Sequence, residues 1–144
     1  ELNVIATPGH TEDSVCFATS DAEGPVLMTG DTLLGRRHST YISRVGGNLA
    51  HALESLARLS QFEGVRGYPG HGEPIPDVAV AARAALEHRM NRLTDLARRL
   101  REEPELEPRV LARERHPDAP QRWDAAEWII QTEIEFARQH LLGM

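Results

Sequence analysis

The chain has 144 residues, with 16 basic and 22 acidic side chains and a formal net charge of −6. That length is about one domain, or one small domain with an appendage, and the acidic balance excludes a generally basic nucleic-acid coat. The single cysteine, Cys16, excludes an internal disulfide and a cysteine-based metal knuckle, and favours a reducing, cytoplasmic setting. No apolar run approaches the ~20 residues that span a bilayer, and no basic leader-type segment opens the chain. All of the basic residues are Arg and none is Lys, which we read as compositional bias of the genome.

Residues 2–6, with Leu2, Val4 and Ile5, form a short apolar run that stops at Pro8-Gly9 and predict a first strand. Residues 14–19 predict a second, Asp21 to Pro25 a turn, and Val26-Leu27-Met28 a third strand ending at Gly30-Asp31. Leu49, Leu53, Leu56 and Leu59 recur at helical spacing after Gly46-Gly47-Asn48. Val65 to Tyr68 predicts a fourth strand. Beyond Pro74 and Pro76 the character changes. Asp77 has the chemistry of a helix N-cap, and Leu86, Met90, Leu93, Leu96 and Leu100 stripe a long helix to about Glu103. A short helix begins at Val110-Leu111, and another runs from Asp124 with Ala126, Ile130, Ala137 and Leu141 inward. The sequence therefore divides into residues 1–76, an α/β part, and residues 77–144, a helical part.

Three islands end strands and each presents one ligand-type side chain. They are Thr7-Pro8-Gly9-His10-Thr11, Thr29-Gly30-Asp31-Thr32 and Tyr68-Pro69-Gly70-His71-Gly72. Imidazole and carboxylate suit a borderline divalent ion such as zinc. The spacing is too long for one helix, so the fold must gather His10, Asp31 and His71. Taken singly, a His in a Pro-Gly turn reads as a turn residue and Asp31 as an Asx-turn residue. Together the three present a set of metal-type donors, so a metal site stands beside the turn reading. Thr11 and Ser14 read as loop hydroxyls bonded to the backbone, and Cys16 as a small buried apolar group. Arg36, Arg37 and His38 follow the Gly35 turn and read either as a solvated charged loop or as substrate contacts.

Thr7-Pro8-Gly9-His10-Thr11 with Asp13-Ser14, then Thr29 to Gly35, then Tyr68 to Gly72, resembles the metallo-β-lactamase-fold hydrolases. Glu87-His88-Arg89 and Arg92 add a likeness to the lactamase-like, endoribonuclease-type branch that carries a C-terminal winged helix. The resemblance implies an α/β fold: the C-terminal half of an αββα sandwich in residues 1–76, followed by a small helical, winged-helix domain in residues 77–144. It implies that His10 binds a first zinc, that Asp31 bridges two and carries the catalytic role, and that His71 binds the second. It also implies metal-assisted hydrolysis, with water made nucleophilic near neutral pH.

The family's His-x-His-x-Asp-His motif does not occur in this sequence. Three ligands shared by two ions leave each undercoordinated, so residues 1–144 alone are expected to bind zinc weakly and to be inactive. The expected function is that of part of a zinc hydrolase acting on an ester, a thioester or a phosphodiester such as RNA. A non-catalytic half-domain for binding or assembly is the alternative. The tail from Val78 to Met144 has 11 Arg against 12 Asp plus Glu, which lacks the basic footprint of phosphate contact, so a packing or substrate-covering role is expected for it. The open sheet, with Val4, Val15, Phe17 and Leu27, must be covered by the missing N-terminal half or by a second copy in a homodimer.

Overall fold

The computed structural model describes residues 1–35 and 42–143. Arg36, Arg37 and His38 lie outside the described residues. The chain forms two compact units, residues 1–89 and residues 90–144. The division falls at 89/90, inside a helix, and not at the change of character at 76/77.

The first unit begins with strands β1 (Asn3–Ala6), β2 (Val15–Asp21) and β3 (Gly24–Gly30). Helix α1 (Leu49–Leu59) then leads to β4 (Arg66–Pro69). The sheet order is β1-β2-β3-β4, antiparallel through β3 and parallel between β3 and β4. A helical crossover is what a parallel neighbour requires. Asn48 caps α1 by accepting the His51 N–H at 3.0 Å. Helix α2 (Val78–Glu102) follows. At its start the Asp77 carboxylate accepts N–H bonds from Val80 and from Gly64, each at 3.0 Å. These bonds hold the Asp77 pKa below its ordinary value.

Strand alternation sorts the sheet into two faces. Cys16 and Leu27 point to one, where Leu56 and Leu59 of α1 and Val78, Ala82 and Ala85 of α2 pack with them. Val78, Ala82 and Ala85 place the first turns of α2 in this core, which explains why the unit extends past residue 76. The other face carries a register row across all four strands: Val4 opposite Phe17, Phe17 opposite Met28, and Met28 opposite Tyr68. All four side chains are exposed, Val4 at 64%. The expected open face therefore needs one correction. Leu27 is fully buried on the helix-covered side, because it pairs with Ala18 and Gly67, and its neighbour Met28 points outward.

In the second unit α2 ends and is followed by α3 (Pro108–Arg115), a 3-10 turn (Pro120–Arg122) and α4 (Trp123–His140). Pro108 occupies the first turn of α3, where its missing N–H costs nothing. Leu96, Leu100, Leu111, Ile130 and Ile134 form this unit's core. Among the described residues the unit contains helices and turns and no strand. The expected winged-helix tail is thus seen as helices alone.

A buried acid ties these helices together. Glu133 on α4 is fully buried and pairs with Arg92 of α2 and Arg115 of α3, each at 3.0 Å. Burial pushes the Arg115 guanidinium down from its ordinary value, and nearby Arg92 adds to that while Glu133 opposes it. Removing one member of a buried pair strands the other charges. Glu133→Gln is expected to destabilise the second unit by about 3 kcal/mol, measured as a lower urea midpoint with an unchanged slope. An unchanged midpoint would show the triad to be energetically neutral.

Candidate metal centre

The three ligand islands lie at one end of the sheet, where β1, β3 and β4 stop. The first loop is seated on α1. Gly9 has φ +146° and lies so close to the helix that an added Cβ would meet the Ala52 Cα at 2.4 Å. No side chain fits there. The loop is also held by Asn48 N–H to Gly9 C=O at 2.9 Å, Ser55 hydroxyl to Pro8 C=O at 2.7 Å and Ser43 N–H to His10 C=O at 3.0 Å. Ser14 does what the sequence suggests, its hydroxyl accepting from the Thr11 N–H at 3.1 Å, whereas the Thr11 hydroxyl bonds side chains instead, donating to Asp13 Oδ1 at 2.7 Å and meeting the Ser14 hydroxyl at 2.8 Å.

The second and third loops are tied to one another through the main chain. Gly70 N–H donates to Gly30 C=O at 2.7 Å, and Gly35 N–H donates to His71 C=O at 3.0 Å. A Cβ on Gly70 would lie 2.7 Å from Asp31 Oδ1, so glycine at this position keeps the carboxylate's surroundings open.

This arrangement brings His10, Asp31 and His71 together. His10 Nε2 lies 3.5 Å from Asp31 Oδ2, and His71 Nε2 lies 3.6 Å from Asp31 Oδ1. Each imidazole thus faces its own carboxylate oxygen. Both distances exceed a normal N–H···O bond of about 2.7–3.2 Å. They are close to the ~3.4 Å edge between two donors of a tetrahedral ion with bonds of about 2.1 Å. Asp31 Oδ1 is buried and, among the described residues, has no hydrogen-bond partner. A buried carboxylate oxygen left in that state asks for a counter-charge.

The donor set therefore fits two ion positions that share Asp31, one beside His10 and one beside His71. Each position has one nitrogen and one oxygen, which is half of a four-coordinate shell. Among the described residues no group of three or more His, Cys, Asp or Glu side chains is disposed to hold one ion. Cys16 is not such a donor. It is fully buried beneath the loops, its thiol donates to Thr29 C=O at 3.7 Å, and burial pushes its pKa up. Sequence reasoning missed Asn48 and Ser55 as supports of the His10 loop, because both read only as features of α1.

The mixed four-stranded sheet with helices on one face, and with His10, Asp31 and His71 at its strand ends, is an α/β fold that resembles part of a metallo-β-lactamase. Comparison with solved structures agrees. A metallo-beta-lactamase family protein from Thermus thermophilus superposes with a TM-score of 0.65 at 26% identity, over 96% of this chain and 44% of that one. A beta-lactamase domain protein from Burkholderia ambifaria gives 0.57 at 29% identity, over 67% of this chain and 31% of that one. In sequence the chain is 31% identical to a beta-lactamase-like protein 2 homolog of Caenorhabditis elegans over 83% of its own length and 38% of that protein's. It is 30% identical to an atrochrysone carboxyl ACP thioesterase of Passalora fulva, over 63% and 26% of the respective lengths. No protein-family model matches the chain. The chain is thus similar to part of these metallo-beta-lactamase and lactamase-like proteins, and it spans less than half the length of the relatives it matches.

Proposed function

We propose that residues 1–144 supply one half of the active site of a metal-dependent hydrolase, and that the substrate is an acyl thioester or a related ester. The observation that carries this reading is the Asp31 carboxylate, faced by one imidazole at each oxygen, with Oδ1 buried and without a hydrogen bond among the described residues. Divalent ions of the zinc class bound there would polarise the acyl carbonyl and lower the pKa of water toward neutrality. Asp31 would be shared by both ions, His10 would hold one and His71 the other. The remaining donors would come from outside residues 1–144. The thioester preference rests on the thioesterase among the relatives. Arg36, Arg37 and His38 follow directly on the Asp31 loop in sequence and are proposed to contact the substrate. RNA, the substrate expected of the endoribonuclease-type branch, is the competing outcome of the test.

The partner of the exposed sheet face is proposed to be the missing half of the same fold. The row Val4–Phe17–Met28–Tyr68 supports this, because exposed apolar patches of this kind are typical of interfaces.

The test uses the protein as its gene encodes it, loaded with zinc. It should release thiol from an acyl thioester and leave a single-stranded oligoribonucleotide intact. His71→Ala should lower thioester turnover by at least about a hundredfold, about the loss expected when metal-derived stabilisation of the reacting carbonyl is removed. Cleavage of the oligoribonucleotide with no thioesterase activity would overturn the substrate class. Full turnover by His71→Ala would overturn the site.

A further inference from the structure

Beneath the candidate centre lies a cluster of buried hydroxyls. Thr7 and Thr29 are fully buried and Thr32 is 6% exposed. Thr7 stands three residues before His10, and Thr32 directly follows Asp31. The Thr7 and Thr32 hydroxyls are hydrogen-bonded at 2.9 Å, and the Thr32 hydroxyl also approaches Thr7 C=O at 3.4 Å. Thr29 closes its own loop by donating to Leu33 C=O at 2.7 Å, and Thr32 N–H donates to Thr29 C=O at 3.1 Å. The tie between the His10 loop and the Asp31 loop therefore runs through side chains. The tie between the Asp31 loop and the His71 loop runs through the main chain, at Gly70–Gly30 and Gly35–His71. The two halves of the His–Asp–His constellation are supported by different means.

We propose that the Thr7–Thr32 hydroxyl pair sets the spacing between His10 and Asp31, and so governs the ion position beside His10 while leaving the one beside His71 intact. Thr7 and Thr32 are positioning residues: they touch no ion, and they fix the two strand ends that carry the ligands. A buried hydroxyl pair suits this task, because losing the 2.9 Å bond leaves Thr7 only the Cys16 Sγ at 3.4 Å, or Thr32 only the residue 7 carbonyl at 3.4 Å, and removes the short tie between the loops. Groups that support metal ligands from behind commonly change metal affinity by about 10–100-fold when removed. The inference rests on the reading of His10, Asp31 and His71 as ligands.

The experiment measures zinc stoichiometry and affinity in the protein as its gene encodes it, for wild type, Thr7→Val, Thr32→Val and Thr32→Ser. Valine keeps the volume and removes the hydroxyl, whereas serine keeps the hydroxyl. Wild type should bind about two ions. Either valine variant should fall to about one under the same free-zinc concentration, with the weaker ion loosened by about 10–100-fold. Thr32→Ser should retain two. Either valine variant with a native far-UV spectrum decides the question, since both break the same hydrogen bond from opposite loops. Two tight ions in a folded valine variant overturn the proposal and leave the ligand reading intact. So does a serine variant that holds only one. A wild-type protein that binds no zinc removes the ligand reading, and this proposal with it. A simple structural role predicts lower thermal stability in the valine variants with both ions retained.

Discussion

Asp31→Ala, made in the protein as its gene encodes it, should remove both ions at once. The carboxylate faces both imidazoles, with Oδ2 toward His10 and Oδ1 toward His71. Losing it deletes an anionic donor from each position, and two cations then repel one another across a gap with no charge between them. Metal content should drop from about two ions per chain to well below one. His10→Ala and His71→Ala should each lose about one, because each imidazole serves a single position. Elemental analysis of the three purified variants checks this. Unchanged content in all three would sink the assignment. Residues 1–144 on their own should hold zinc weakly, since each position keeps only two protein donors.

The second large effect concerns the open face of the sheet. Residues 1–144 made alone are expected to self-associate at concentrations on the order of tens of micromolar, where exposed strand faces aggregate. Fully burying one large apolar side chain is worth about 1.5–3 kcal/mol. The row contributes four such side chains, of which Val4 and Met28 are 64% and 44% exposed. Phe17→Ser combined with Met28→Ser should shift the population toward monomer. Both positions face solvent in this unit, so the helix-covered core is untouched. Sedimentation velocity reads the result directly. A well-folded monomer of the unmodified 144 residues would refute the need for a partner.

Much of the first unit was legible in the sequence. Pro8-Gly9, Gly30-Asp31 and Pro69-Gly70 punctuate apolar runs, and all three strands end there. The leucine spacing in α1 and the Asp77 cap announced both helices that cover the sheet. The face of Leu27 was not legible. Val26, Leu27 and Met28 are all apolar, so composition gave no alternation, and only pairing with Ala18 and Gly67 sets the direction. Glu133 was equally hidden. A lone acid on a helix reads as solvated, and its burial depends on two arginines that arrive from other helices. At the centre, the chemistry of His10, Asp31 and His71 was visible as residue types. Their mutual spacing was not, because it depends on main-chain bonds between loops and on threonines whose burial no periodicity reveals.

The strand order of the sheet is the order of the chain. Each new strand adds to the outer edge of the one made just before it, and none has to be inserted between earlier partners. Contacts that are close in sequence close small loops and form quickly. The sheet, its three loops and its helix-covered core therefore have a route to formation that does not wait for contacts from outside residues 1–144. The interval between closure of the sheet and covering of its open face is when the Val4–Phe17–Met28–Tyr68 row is most exposed to wrong partners.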